Sequence, residues 1–407
     1  MEIQFLGGAS EVGRLGMVLR RGPQTLLFDY GLLPSRPPQY PIEAPPVDAL
    51  LLSHAHLDHS GMIPWLTSAY DIEVYGTPPS LDVADLLLED SLKVADSEGF
   101  RTAFDEQDVA RSRNMFRSIN FEEPLDFAGV EVLPHSAGHI PGATMYEVNL
   151  EKTVLFSGDI HTLSTDLVLG AKPVKCDILV LESTYAGRQH PPREQVQKEF
   201  LRKVRQVNQR GGIAIVPAFA VGRTQDIILT LARERFYACL DGMGKTVNSI
   251  YTGHKGFVRS VRKLKDAMDK INVVGGRKGL DRALKSDVIV TTSGMLDGGP
   301  VINVIEALRE DQRSAILLTG YQVEGTNGRR LVEKGEIDIR GVTVRPKCEV
   351  QKFDFSAHAG HQDLVRFVEG CDPEKVVLMH GDNRKLLADA LEGRECIMPK
   401  EGQWVQL

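Results

Sequence analysis

Short apolar runs separated by turn residues dominate the first part of the chain. Met1 to Leu6, Thr25 to Phe28, Ala49 to Leu52, Glu131 to Leu133, Thr153 to Phe156 and Ile178 to Leu181 each have strand length, with Gly7-Gly8 and Gly158-Asp159 among the breaks. The Leu-rich spacing behind Ser80 predicts a helix from Ser80 to Ala95 with Ser80 as its N-cap. From about Gly187 the texture changes. Glu194 to Gln209 and Thr224 to Leu240 read as helices, set between the unbroken apolar strands Gly212 to Val216, Asp287 to Thr291 and Ala315 to Leu318. Strands without polar alternation are buried on both faces, which indicates a parallel α/β sheet. The end of the chain returns to the first texture, with a strand at Lys375 to Met379. The expected fold class is α/β.

At 407 residues, 42% hydrophobic and 25% charged, the chain suits two domains with ordinary cores. No apolar run reaches the length of a membrane span, and Met1 to Leu6 lacks the layout of a signal peptide, so no membrane partner is expected. Cys176, Cys239, Cys348, Cys371 and Cys396 form no Cys-x-x-Cys pair. Disulfides and thiolate metal sites are therefore not expected, and a reducing cytoplasm fits. The net charge of −7 argues against a polyanionic partner until it is resolved along the chain. Residues 186 to 345 carry 28 Lys and Arg against 17 Asp and Glu, a balance of +11, and the rest carries −18. Sign reversal on that scale points to an acidic portion joined to a basic one able to hold a polyanion.

The most informative local pattern is Ser53-His54-Ala55-His56-Leu57-Asp58-His59, directly after the apolar run that ends at Leu52. Imidazole nitrogen and carboxylate oxygen are preferred zinc donors, and four donors on one loop suit two adjacent metals better than one. Further donors sit at strand ends beside glycine. His139 lies in Ala137-Gly138-His139, Asp159 in Ser157-Gly158-Asp159 and His380 in Met379-His380-Gly381. Asp29, after Phe28, is placed to orient an imidazole by accepting its other N–H. His135, His161, His190, His254 and His361 lack this context and are expected to be structural or surface residues.

In this order, these positions resemble the motifs of the β-CASP ribonucleases, a branch of the metallo-β-lactamase superfamily. Asp29 matches the first superfamily motif, His54, His56, Asp58 and His59 the second, His139 the third and Asp159 the fourth. Glu182 in Leu181-Glu182-Ser183-Thr184-Tyr185, His358 in Ser356-Ala357-His358 and His380 match the three motifs of the branch. Pro217 to Arg223, Ser293-Gly294-Met295 and Gly320 to Thr326 look similar to the same branch. Gly7 to Arg14 points to archaeal homologues of the cleavage and polyadenylation specificity factor nuclease. Relative to longer members, the chain is expected to be a short form, without a KH-type region before Met1 or the extra C-terminal domain of RNase J.

The resemblance implies a four-layer αββα metallo-β-lactamase domain from residues 1–186 and 346–407. A parallel α/β β-CASP domain, residues 187–345, would be inserted in it, with the active site in the cleft. It implies a ribonuclease that holds two Zn2+, acts on single-stranded RNA and leaves 5′-phosphate ends, with a homodimer as a family arrangement. His54, His56, His139 and Asp159 would hold one ion, and Asp58, His59, Asp159 and His380 the other. Asp58, Glu182 and His358 would be catalytic, His358 as the general acid and Glu182 fixing its ring. Arg223, Ser293, Arg329 and Ser356 are candidate phosphate contacts. Endonucleolytic cleavage and 5′-to-3′ exonuclease action both remain open at this point. So do a DNA nuclease, a small-molecule hydrolase and a catalytically silent RNA-binding subunit.

Overall fold

Every apolar run singled out above forms a strand in the computed structural model, which describes all 407 residues. The first stretch holds β1 (Glu2–Gly7), β2 (Gly16–Arg21), β3 (Gln24–Phe28), β4 (Ala49–Leu51), β5 (Glu73–Gly76) and β6 (Phe116–Ser118). Then come β7 (Leu125–Phe127), β8 (Val130–Ser136), β9 (Thr144–Asn149), β10 (Val154–Phe156) and β11 (Ile178–Glu182). The middle stretch holds β12 (Ala214–Pro217), β13 (Ala238–Asp241), β14 (Ile271–Val273), β15 (Val288–Thr291), β16 (Ala315–Leu318), β17 (Ile337–Ile339), β18 (Val342–Val344) and β19 (Glu349–Lys352). The chain ends with β20 (Lys375–Met379), β21 (Glu395–Ile397) and β22 (Trp404–Gln406).

These strands belong to two compact units. The first comprises residues 1–164, 168–189 and 358–407, and the second residues 165–167 and 190–357. Residues 346–357 join the second unit because β19 pairs in parallel with β16.

The first unit holds two seven-stranded sheets, ordered β22-β1-β2-β3-β4-β5-β6 and β21-β20-β11-β10-β9-β8-β7. Side chains two apart on a strand point the same way. Leu26 and Phe28, Val154 and Phe156, and Ile178 and Val180 accordingly meet in one core between the sheets. The Phe28 ring lies 5.0 Å from that of Phe156 and 5.9 Å from that of Tyr146. Burial of a side chain of this size stabilises by about 1.5–3 kcal/mol. It also anchors the next residue, Asp29. The opposite faces are covered by helices: Pro78–Glu98 and Glu106–Met115 pack on the first sheet and Arg384–Ala390 on β20. The result is a four-layer αββα sandwich.

The second unit is built on a six-stranded sheet, ordered β14-β13-β15-β12-β16-β19, in which every pairing is parallel. No helix of the chain is long and apolar enough to cross a membrane.

Two helix expectations need correction. The helix expected over 224–240 is Arg223–Leu231, and its apolar tail is instead strand β13. Ala238, Cys239 and Leu240 are buried on both faces of the sheet, where helical and strand burial leave the same apolar signature. The helix expected from Ser80 begins at Pro78, with Thr77 at its N-cap. Proline at that position loses no bond, because the first N–H groups of a helix are unpaired anyway. The Thr77 and Ser80 hydroxyls donate instead to the Gly142 carbonyl, at 2.7 and 3.1 Å, which ties the helix to the loop that follows His139.

Candidate metal centre and acid–base pair

Parallel pairing brings the C-terminal ends of strands to one edge, and that is where the candidate residues of the first unit collect. β3 and β4 run parallel, with Phe28 opposite Leu51, and deliver Asp29 and the Ser53–His59 loop. β10, β11 and β20 run parallel, with Glu182 opposite Met379, and deliver Asp159, Glu182 and His380. His139 follows β8.

Asp29 organises the loop. Its Oδ1 accepts the Ser53 N–H at 2.6 Å, and its Oδ2 accepts the Ser53 hydroxyl at 2.7 Å. The same Oδ2 lies 2.7 Å from His59 Nδ1, which leaves His59 Nε2 facing the other donors. Ser53 Oγ also lies 3.0 Å from His54 Nδ1, and so turns His54 Nε2 inward. Gly31 permits this fold of the loop: a Cβ there would lie 1.8 Å from the Asp58 carbonyl oxygen.

The possible donor atoms form three groups. His54, His56, His139 and Asp159 converge in the first, Asp58, His59 and His380 in the second, and Asp159, Glu182 and His358 in the third. In the first, His54 Nε2 is 3.0 Å from His56 Nδ1, which is 3.3 Å from His139 Nε2. Asp159 Oδ2 lies 3.6 Å from His54 Nε2 and 3.8 Å from His139 Nε2. The same oxygen is 3.4 Å from His59 Nε2 in the second group. Asp58 Oδ2 lies 3.9 Å from His59 Nε2 and 3.7 Å from His380 Nε2. A tetrahedral ion with bonds of 2.0–2.1 Å holds its donors about 3.3–3.4 Å apart, so these spacings suit a divalent cation.

Two further observations support that fit. His59 Nε2 and Asp159 Oδ1 are buried without a hydrogen-bond partner, although buried polar atoms are normally satisfied. The carboxylates Asp29, Asp58, Asp159 and Glu182 form their ion pairs here with imidazoles. Burial disfavours a charged His59, but Asp159, Asp29 and Asp58 outweigh it and hold its pKa well above the ordinary value. Burial and the neighbouring His59 push His54 well below its ordinary value, and burial brings His56 to about 4. Lone pairs are thus available on His54 and His56, and positive charge is called for among the carboxylates. His380 is held differently: the Gly13 N–H donates to its Nε2 at 3.0 Å, while its Nδ1 faces Asp159 Oδ1 at 3.1 Å.

Beside the donors stands a carboxylate–imidazole pair. Glu182 is fully buried, and its Oε1 accepts the Ile160 N–H at 2.8 Å. Its two oxygens lie 3.2 and 3.3 Å from His358 Nδ1. Burial opposes charge on His358, but Glu182 and Asp159 prevail and raise its pKa above the ordinary value. The His358 side chain keeps 20% exposure, so its ring reaches solvent at the edge of the donor cluster.

The phosphate candidates lie in the second unit. Arg223 and Ser293 follow the C-terminal ends of the parallel strands β12 and β15. Ser356 is buried, and its N–H donates to Asp354. Arg329 pairs with Glu333 at 2.6 Å, one turn along its helix. Sequence reasoning missed Ser53, Gly13 and Ile160 as positioning groups. Ser53, next to the His-rich motif, was the one with a readable signal, since the other two act through backbone N–H groups. His361, expected to be structural, accepts the Gly187 N–H on its Nδ1, and His135 and His190 pair with carboxylates.

Comparison with known proteins agrees with this layout. Residues 26–171 match a metallo-β-lactamase superfamily domain, 225–331 a Beta-Casp domain, and 343–399 a Zn-dependent metallo-hydrolase RNA specificity domain. "RNase aCSPSF2" of Saccharolobus solfataricus is 35% identical, over 100% of this chain and 85% of that protein. "Probable RNase MJ4" of Methanocaldococcus jannaschii is 33% identical over 100% of both. "Transcription termination factor FttA" of the same organism is 30% identical over 95% of this chain and 68% of its own length. A solved structure of a protein of unknown function from Enterococcus faecalis covers 100% of this chain and 99% of that one. It has a TM-score of 0.65 at 14% identity and is similar in fold alone.

Proposed function

Because this chain belongs to the β-CASP branch of the metallo-β-lactamase superfamily, a family of metal-dependent nucleases, we propose that it is a zinc-dependent ribonuclease cutting single-stranded RNA. The products are 5′-phosphate and 3′-hydroxyl ends. The observation that carries this reading is the complete set of metal donors standing beside the Glu182–His358 pair. A small-molecule hydrolase needs the donors alone, and a silent subunit needs neither.

His54, His56, His139 and Asp159 would hold one zinc ion, and Asp58, His59, His380 and again Asp159 the second. When bound, such a pair neutralises charge on the phosphate and ionises a water at neutral pH. Asp29 and Ser53 keep the imidazoles turned to the centre. Glu182 holds the Nδ1–H of His358, so the opposite nitrogen, Nε2, carries the proton that passes to the departing 3′-oxygen. Arg223, Ser293, Arg329 and Ser356 are the candidate phosphate contacts. All five cysteines are free, which suits a reducing cytoplasm.

The two metal positions should fill unequally. The second ion needs a lone pair of His380, and the Gly13 N–H occupies the one on Nε2. Displacing that hydrogen bond costs about 0.5–1.5 kcal/mol, which is roughly twofold to thirteenfold in affinity. Titration of metal-free protein with zinc, followed by calorimetry, should resolve a tighter and a weaker event; two equal events would contradict this.

The experiment that tests the function offers matched RNA and DNA oligonucleotides and a circular RNA to the zinc-loaded protein. Contacts to the phosphate backbone carry no sequence information, so preference for RNA has to come from the 2′-hydroxyl. RNA should be cut, with a rate that falls as salt rises, and DNA of equal sequence should be largely spared. Comparable turnover of both would overturn the assignment to RNA. Cleavage of the circle identifies an endonuclease, whereas sparing it while degrading linear 5′-phosphorylated RNA identifies a 5′-to-3′ exonuclease.

A further inference from the structure

The positive charge of the second unit is not spread evenly. Between Lys255 and Lys285 the chain carries ten Lys and Arg against three Asp, so this short segment holds most of the basic excess. It contains edge strand β14 and the helices on either side of it in sequence, Val261–Met268 and Gly276–Ala283. The first helix buries Leu264 and Ala267 and exposes Arg262, Lys263 and Lys265. The second buries Gly279 and Ala283 and exposes Arg277, Lys278 and Arg282.

The two helices flank β14 from opposite faces of the sheet. Ala283 joins the core formed with Cys239, Val274 and Ile289. Val261–Met268 packs instead on the helices Arg223–Leu231 and Gly244–Gly253, which cover the other face. The exposed edge of β14, where Val273 is 53% accessible, therefore runs between two rows of cations.

None of these six side chains takes part in an ion pair, whereas several basic residues elsewhere in the unit are neutralised. Arg193 pairs with Asp226, Arg330 with Glu336, Arg340 with Glu306 and Lys347 with Glu310. Clustered, unpaired cations on a surface raise the local potential and concentrate polyanions. We propose that this rim is a backbone-binding track for single-stranded RNA, separate from the candidate phosphate contacts at the strand ends. The proposal rests on the ribonuclease reading and adds where on the second unit the substrate is gripped. β14 and β19 lie at opposite edges of the six-stranded sheet, five inter-strand steps or about 24 Å apart. A track along the β14 edge adds affinity only for RNA long enough to run along it.

The test replaces Arg262, Lys263, Lys265, Arg277, Lys278 and Arg282 together with glutamine. Wild type and variant are compared on a six-nucleotide and a forty-nucleotide RNA, by kcat/KM and by binding across a salt series. For the long RNA, kcat/KM should fall at least tenfold, with the short RNA nearly unchanged. Each lost phosphate contact should flatten the salt dependence of binding by about 0.7. A companion variant that exchanges each of these Lys for Arg and each Arg for Lys should bind like wild type, which shows that charge is what matters, and retained cleavage of the short RNA by the glutamine variant excludes a folding defect. Unchanged handling of the long RNA overturns the track, as does equal loss on both RNAs. So does concentration-dependent self-association with RNA binding intact, because the cations would then only guard a sheet edge. If the wild type cuts neither RNA, it is the ribonuclease reading that fails.

Discussion

Asp159→Ala should reduce RNA cleavage to background and lower zinc content from two ions per chain to one or fewer. One carboxylate oxygen of Asp159 lies within 3.9 Å of ring nitrogens on His54, His59, His139 and His358, so all three donor groups depend on it. Its pKa explains why the loss should be severe. Burial works against the charge, yet His59, His380 and His358 hold the carboxyl well below the ordinary range. Removing it takes away the carboxylate that His54 and His139 face. Asp159→Asn preserves the shape while deleting the charge, and should lose metal as well, with a lowered melting temperature. Metal analysis of both variants by atomic emission, with melting curves, checks this. Near-wild-type cleavage with two zincs retained in Asp159→Ala would sink the shared-ligand scheme.

His358→Ala should behave in the opposite way, keeping both zincs while losing roughly 10²–10⁴ in rate, the usual contribution of a positioned proton donor. The separation follows from geometry. The His358 Nδ1 is engaged by Glu182 and its ring is partly exposed, whereas the seven donors of the first two groups converge without it. Glu182→Gln should give an intermediate loss, again with metal retained. It keeps an acceptor for the Ile160 N–H but removes the charge that favours a protonated His358. Loss of zinc from His358→Ala would reassign that residue as a ligand. Equal activity of Glu182→Gln and wild type would remove Glu182 from the proton path.

Much of the centre was legible along the chain because its chemistry is local. An apolar run that ends in His or Asp beside Gly marks a buried strand opening into a loop of donors. That pattern singled out His54, His56, His59, His139, Asp159 and His380 before any fold was known. The change of texture near Gly187 and the reversal of charge sign are likewise properties of composition. They implied a second, parallel α/β unit with a basic surface. Pattern failed where burial on both faces erases periodicity, as in the tail of the expected helix 224–240 that became β13.

Tertiary structure alone decided how the donors are aimed. Glu182 and His380 stand side by side only because β11 and β20 pair in register across nearly two hundred residues of sequence. The N–H groups of Gly13 and Ile160 hold His380 and Glu182, yet every residue except proline carries an N–H, so no composition announces which will be used. Charge followed the same rule. The sequence counted the cations of the second unit, but only the folded chain paired Arg329 with Glu333 and left Lys263 and Lys278 facing solvent alone. Ion pairing depends on distances that the order of residues does not contain.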